Sequence, residues 1–166
     1  MPDPTLLTAQ RLRSMLDYDP ATGVFTWRVT RGKARPGSTA GSLNRNGYVY
    51  IGIENAAWLA HRLAWLWMTG EQPPREVDHK DTVRSNNRWS NLRLATTSEN
   101  GQNQQSPPSH NTTGFLGVTL YKPTGRYAAF IKVNRKSRYL GYYTTPEEAH
   151  AAYVAAKREL HPFGML

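Results

Sequence analysis

Asp78 and His79 stand side by side in the stretch Val77-Asp-His-Lys-Asp-Thr-Val-Arg-Ser-Asn-Asn-Arg-Trp-Ser-Asn91, and the pair suits phosphate chemistry. A carboxylate oxygen is a ligand for a hard cation such as Mg²⁺, which keeps several waters and binds substrate phosphate. The imidazole beside it, neutral near pH 7, can take a proton from an attacking water. Downstream, Thr96-x-x-Glu99 forms a capping box, so Asn100 falls in the first turn of a helix and offers a second oxygen. One ion held by Asp78 and Asn100 would stabilise developing charge and the leaving oxygen.

These residues need a scaffold. Strand geometry places Asp78 and His79 at the end of a strand with their side chains on opposite sides, and Asn91-Leu-Arg-Leu-Ala95 reads as the return strand. A strand, loop, strand and helix would then gather Asp78, His79 and Asn100. Upstream, Thr8 to Leu16 reads as a short helix capped by Thr8, Tyr18 to Gly23 as a turn, and Val24 to Arg28 as a strand. Arg31 to Arg45, rich in Gly, Ser and Arg, reads as loop, and Gly47 to Ile53 as a second strand. Asn55 is expected to cap a helix running to about Met68 and stopped by Gly70 and Pro73-Pro74. Leu59, Leu63, Leu66 and Trp67 make its apolar stripe, widened by Trp58 and Trp65. His61 and Arg62 lie inside it, where such residues are usually structural, and Arg62 is also a candidate phosphate contact.

Gln104 to Asn111 is polar, carries Pro107 and Pro108, and reads as a linker. Beyond it the pattern changes to three short strands, Gly117 to Tyr121, Tyr127 to Val133 and Arg138 to Tyr143, with turns at Pro123-Thr-Gly125 and Asn134 to Ser137. A helix follows, with Thr145 as cap, Pro146 at its first position and Glu148 completing a capping box. Between Lys122 and Arg138 stand six basic residues and no acidic one: Lys122, Arg126, Lys132, Arg135, Lys136 and Arg138. One face of such a sheet can pack on the Ala-rich helix while the other presents Lys132 and its neighbours to the major groove of DNA.

The whole chain agrees with a polyanionic partner. Its 166 residues carry 21 basic and 12 acidic side chains, a net +9, and basic residues that displace counterions from phosphates supply most non-specific nucleic-acid affinity. The absence of Cys excludes disulfides and Cys-ligated zinc. Met1-Pro-Asp-Pro-Thr5 lacks the pattern of a signal peptide, and no apolar run approaches the roughly 20 residues that span a bilayer. A soluble, cytoplasmic protein without a membrane partner is expected.

The central stretch resembles the His-Asn-His (HNH) nucleases, in the variant of phage and intron-encoded homing endonucleases that ends in Asn rather than His. The resemblance rests on Asp78-His79, Asn91 and Asn100, on Asn87-Arg88-Trp89-Ser90-Asn91-Leu92-Arg93, on His61-Arg62-Leu63-Ala64-Trp65 and on Ser98-Glu99-Asn100. It implies a two-stranded hairpin and helix gripping one metal, with Asp78 and Asn100 as ligands, His79 as general base and Asn91 holding the loop that orients His79. Arg88 and Arg93, with Arg62, are candidate DNA contacts beside it. The last segment resembles the DNA-binding domain of plant ethylene-response factors (the apetala family) in Phe115-Leu-Gly-Val118, Gly125-Arg-Tyr-Ala-Ala-Phe-Ile-Lys132, Tyr139-Leu-Gly141 and Pro146-Glu-Glu-Ala149. By position this resemblance turns Thr119, Tyr121, Lys122, Arg126, Phe130, Lys132 and Tyr139 towards DNA. Several arginines of the plant pattern are Thr, Tyr or Lys here, so sequence preference does not carry over.

The expected fold is α+β: a ββα-metal nuclease core plus a three-stranded antiparallel sheet packed on one helix. Its parts are an N-terminal helix and strand region over 1–57, the nuclease core over 58–105, a linker over 106–113 and the apetala-type domain over 114–166. The expected function is hydrolysis of DNA phosphodiesters with one Mg²⁺ or Mn²⁺ per active site, on double-stranded DNA, by a monomer or homodimer in a bacterial or phage-infected cell. A non-catalytic, sequence-specific DNA-binding protein with a decayed nuclease core is the alternative, and a nuclease acting on RNA or branched DNA is a third reading.

Overall fold

Two compact units divide the chain, Met1–Ala95 and Thr96–Leu166. The computed structural model describes residues 7–103, 106–108 and 110–162.

In the first unit, α1 (Ala9–Met15) starts where Thr8 Oγ1 accepts from the Arg11 amide at 3.2 Å. Leu16 does not extend that helix. It opens β1 (Leu16–Asp19), which pairs antiparallel with β2 (Val24–Trp27), because Leu16 and Tyr18 alternate inward as Phe25 and Trp27 do. Asp19 shapes the turn by accepting from the Ala21 amide at 2.9 Å and the Thr22 hydroxyl at 2.8 Å. The segment read as loop over Arg31 to Arg45 contains a short strand, β3 (Ser42–Leu43), paired with β4 (Val49–Ile53). Asn55 is not a helix cap. Glu54, at φ 54°, and Asn55 form the turn of a hairpin, and Ala56–Leu59 is β5, paired with β4. α2 (Ala60–Thr69) then begins at a Leu59 cap that makes no side-chain bond, and ends as expected at Gly70, at φ 85°, whose amide donates to Leu66 O.

β6 (Glu76–His79) and β7 (Leu92–Ala95) form a separate antiparallel pair, with a 3₁₀ turn at Trp89–Asn91 between them. One hydrophobic core serves the whole unit. Leu12 and Leu16, Phe25, Ile51 and Ile53, Leu63 and Leu66, Val77 and Leu92 pack together, so the core crosses the expected boundary at residue 57. The N-terminal strands and the β6–β7 hairpin share this one core.

In the second unit, α3 (Thr97–Gln102) carries the capping box of Thr96 and Glu99. The sheet order is β10 (Lys136–Tyr143), β9 (Arg126–Val133), β8 (Val118–Tyr121), with α4 (Pro146–Leu160) capped by Thr145 and Glu148 as expected. The turn into β10 is tighter than expected: Asn134 and Arg135 both have positive φ, 49° and 65°, so the strand begins at Lys136. Val118, Ala129 and Ala149 form the buried core, with Phe115, Tyr127, Leu140 and Tyr143 packed against it. Gly117 lies directly against α4; a Cβ there would sit 2.1 Å from the Tyr153 ring. The expected linker is partly folded, since Asn111 Nδ2 donates to Phe115 O and Val118 O, both at 3.1 Å. Gln104, Gln105 and Ser109 of the predicted linker region, and the ends of the outer domains at 1–6 and 163–166, lie outside the described residues. Among the described residues no helix is long and apolar enough to cross a membrane.

Candidate active site

The β6–β7 ladder sets Asp78 opposite Arg93 and His79 opposite Leu92. Asp78 is buried, and Arg93 donates to its Oδ2 from Nε at 3.0 Å and from Nη2 at 2.9 Å. A buried carboxylate without such a partner would be costly, and Arg93 supplies one.

His79 is also buried, and its Nε2 lies 3.1 Å from Asn87 Oδ1. Asn87 Nδ2 donates to Ser85 O at 3.3 Å, which turns the amide oxygen towards the imidazole. An amide oxygen only accepts, so Nε2 carries the hydrogen and the lone pair resides on Nδ1. Burial pulls the His79 pKa below its ordinary value and Arg84 adds to this, against the opposing pull of the Asn87 bond, Asp78 and Asp81. The ring is therefore neutral near pH 7 and able to accept a proton at Nδ1.

The intervening loop is tied by a small polar network. Asn91 Nδ2 donates to Asp81 Oδ1 at 2.9 Å and Asn86 O at 2.8 Å, and Asn91 Oδ1 accepts from the Asp81 amide at 3.1 Å. Asn86 Nδ2 donates to Asp81 Oδ2 at 2.6 Å. Burial raises the Asp81 pKa, but the bonds from Asn86, Asn91 and the Val83 amide outweigh it and leave the group below its ordinary value. Asn91 thus braces the loop, while Asn87, which the sequence reading did not single out, makes the hydrogen bond to His79 Nε2.

The β1–β2 hairpin is the seat of this loop. Tyr18 Oη donates to Asn87 O at 2.6 Å, the Trp89 amide donates to Pro20 O at 3.0 Å, and Arg88 Nε donates to Ala21 O at 3.0 Å. Gly23 permits the approach: a Cβ on it would lie 2.4 Å from Asn87 C and Arg88 N.

His61 joins the site from α2. It is 5% exposed, and its ring meets the His79 ring edge-on, with centroids 4.9 Å apart and planes at 79°. Tyr48 packs on both imidazoles, at 5.4 Å and 6.2 Å, and the Arg84 guanidinium lies 5.0 Å above Tyr48. Desolvation, with the charges of His79 and Arg62, lowers the His61 pKa to about 3. Helical periodicity assigned His61 to a buried face, which is correct; only the tertiary contact places it beside His79.

Of the residues expected at the site, Asp78, His79 and Asn91 lie in one hairpin. Asn100 lies on α3 in the second unit, its amide donating to Thr96 O at 2.9 Å. Arg62, Arg88 and Arg93, expected to touch DNA beside the hairpin, have contacts inside the protein: Arg93 to Asp78, Arg88 to Ala21 O, and Arg62 Nη1 to Arg75 O at 3.4 Å. In the sheet, the register gives Thr119, Tyr121, Arg126, Phe130, Lys132 and Tyr139 one shared outer face. Lys122 lies just past β8 in the turn, and Arg135 in the next one. Lys136 and Arg138 pair with Val133 and Ile131, so the register turns them to the face of the core residue Ile131 rather than to the outer one.

Among the described residues no group of three or more His, Asp or Glu side chains is arranged to hold a metal ion. An Asp and an Asn oxygen, with water and substrate phosphate completing the shell, is a donor set that suits a hard cation without such a group. No curated protein and no solved structure gives a match to the chain. Residues 59–102, from the last residue of β5 through α2, the β6–β7 hairpin and α3, match the family model described as HNH endonuclease, and the match supports a nuclease acting on DNA.

Proposed function

We propose that this protein is a metal-dependent DNA endonuclease of the homing or phage type, with its C-terminal sheet holding the enzyme on duplex DNA. The observation that carries the reading is the buried Asp78–His79 pair at the end of β6, with the His79 ring held through Nε2 by Asn87. His79 accepts a proton at Nδ1 from the water that attacks the phosphodiester. Asn87 fixes the ring, and Asn91 fixes the loop that carries Asn87. Asp78 and Asn100 would hold one Mg²⁺ or Mn²⁺, which supplies charge neutralisation at the scissile phosphate. Lys and Arg contacts to phosphate make binding fall steeply with salt.

Incubation of supercoiled plasmid with the protein, with and without Mg²⁺, beside His79→Ala, tests this. Open-circle product that requires both metal and His79 supports a nicking monomer, and linear product supports cutting of both strands by a homodimer. His79→Ala protein that cuts at the wild-type rate would refute the assignment of the base. The second reading, a DNA-binding protein without activity, is favoured by one observation: Arg93 already neutralises Asp78. Salt-sensitive binding without cleavage of any plasmid or phage genomic DNA would establish it.

A further inference from the structure

Four aromatic rings form a continuous row on the outer face of the C-terminal sheet. Tyr121, Phe130, Tyr139 and Tyr142 are each between 37 and 52% exposed. Their centroids stand 5.5 Å apart for Phe130–Tyr139, 5.3 Å for Tyr139–Tyr142 and 5.2 Å for Tyr142–Tyr121. Contiguous exposed rings cost solubility and mark a binding surface.

The backbone is shaped to make this row. Strict alternation along β10 would put Tyr139 and Tyr142 on opposite faces. A bulge between Tyr139 and Gly141 adds one residue, so Tyr139 pairs with Phe130 while Tyr142 pairs with Ala128, two residues along the same face of β9. Tyr143 then falls on the other face, packed against the core. The small side chain of Ala128 leaves the middle of the outer face to the rings.

The surroundings name the partner's charge. From Asn100 to Pro146 the chain has no acidic residue and six basic ones. Arg126 and Lys132 lie on the outer face at its two ends, opposite Tyr121 and Ser137, and Lys122 and Arg135 stand in the adjoining turns. A duplex buries the faces of its bases and is read at its edges by Arg, Asn or Gln. The middle of this face offers rings instead, and ring faces stack on bases only when those bases are unpaired.

We propose that the outer face of the β8–β10 sheet binds single-stranded nucleic acid, its unpaired bases stacked on Tyr121, Phe130, Tyr139 and Tyr142 and its phosphates held by the cations at the rim. This rests on the reading of the sheet as the nucleic-acid module and changes what its outer face holds, from duplex to an unpaired segment of the substrate.

Fluorescence anisotropy of the full chain in EDTA, which prevents cleavage, tests it with three labelled probes: an oligothymidylate, an abasic oligonucleotide of the same length, and the corresponding duplex. The expected result is at least about tenfold tighter binding of the oligothymidylate than of the abasic strand, as stacking of one base supplies. Tyr139→Ala with Tyr142→Ala should abolish that preference and leave the salt dependence unchanged, and Phe130→Leu, which keeps the packing volume, should reduce it. Equal affinity of the wild-type protein for thymidylate and abasic strands would overturn the proposal, as would a double variant, folded by circular dichroism, that weakens duplex and single strand alike. Failure of every probe to bind in a salt-dependent way would instead remove the nucleic-acid reading on which the proposal rests.

Discussion

Burial of His61 makes a quantitative prediction about acid stability. Unfolded, this imidazole takes up its proton near pH 6.5; in the folded unit it does so only at about pH 3. Between those values the unfolded chain binds more protons, so the contribution of His61 to stability is fully present above pH 6.5 and is lost as pH falls towards 3. At about 1.4 kcal/mol per pKa unit, acidification to about pH 4.5 costs about 3 kcal/mol from this one group. His61→Gln has no such group. The variant loses some packing at every pH, but the gap between it and the wild type should move by about 3 kcal/mol in its favour between about pH 7.5 and pH 4.5. Urea unfolding followed by tryptophan emission measures this for the first unit alone, because all five tryptophans, Trp27, Trp58, Trp65, Trp67 and Trp89, precede Ala95. Parallel stability curves for the two proteins across that pH range would refute the reasoning.

Two further predictions concern how the loop is held. Asn87→Ala removes the bond to His79 Nε2 while keeping the base, so plasmid cleavage should fall on the order of 100-fold, as loss of orientation does, with DNA affinity unchanged. An unaltered cleavage rate would show that the ring is fixed by His61 and Tyr48 instead. Gly23→Ala places a Cβ against the Asn87–Arg88 backbone at a φ of 77°, where the conformation alone costs about 1–2 kcal/mol. It should lower the urea midpoint and the cleavage rate together; a wild-type midpoint would mean the hairpin is not the seat of the loop.

The sequence showed best what is local. Capping boxes at Thr96–Glu99 and Thr145–Glu148, the Gly70 stop and the three C-terminal strands each depend on a few neighbouring residues, and each is present in the structure, with β10 starting two residues earlier than expected. Asn55 misled because one residue type serves both helix caps and hairpin turns; what decides is that Ala56–Leu59 pairs with β4, a contact made across the sheet. The site divides in the same way. Asp78, His79 and Asn91 were legible because one hairpin holds them. Asn87 was quoted within the motif, but its bond to His79 depends on the fold of the loop, and that fold depends on Tyr18, Pro20, Ala21 and Gly23, more than 60 residues upstream by sequence number. Nothing in the spacing of α2 distinguishes a buried His61 that only fills space from one that meets the His79 imidazole.

Charge was legible as a total but not as a distribution, and the distribution carries more of the argument. A net +9 spread evenly would steer the chain weakly towards any polyanion. In the second unit the charges are sorted: its acids, Glu99 on α3 and Glu147, Glu148 and Glu159 on α4, all lie on helices, whereas the strands and turns from Val118 to Tyr143 carry none. The α4 helix covers one face of the sheet and also carries Lys157 and Arg158, so its own charges largely cancel, whereas the basic residues of the strands and turns face no acid within the sheet. In the first unit the arginines nearest Asp78 and His79 are bound to Asp78, to carbonyl oxygens or over Tyr48. On the proposed reading, attraction of nucleic acid would fall mainly to the sheet, while the positive groups around His79 act at short range, on the geometry and proton affinity of their own surroundings.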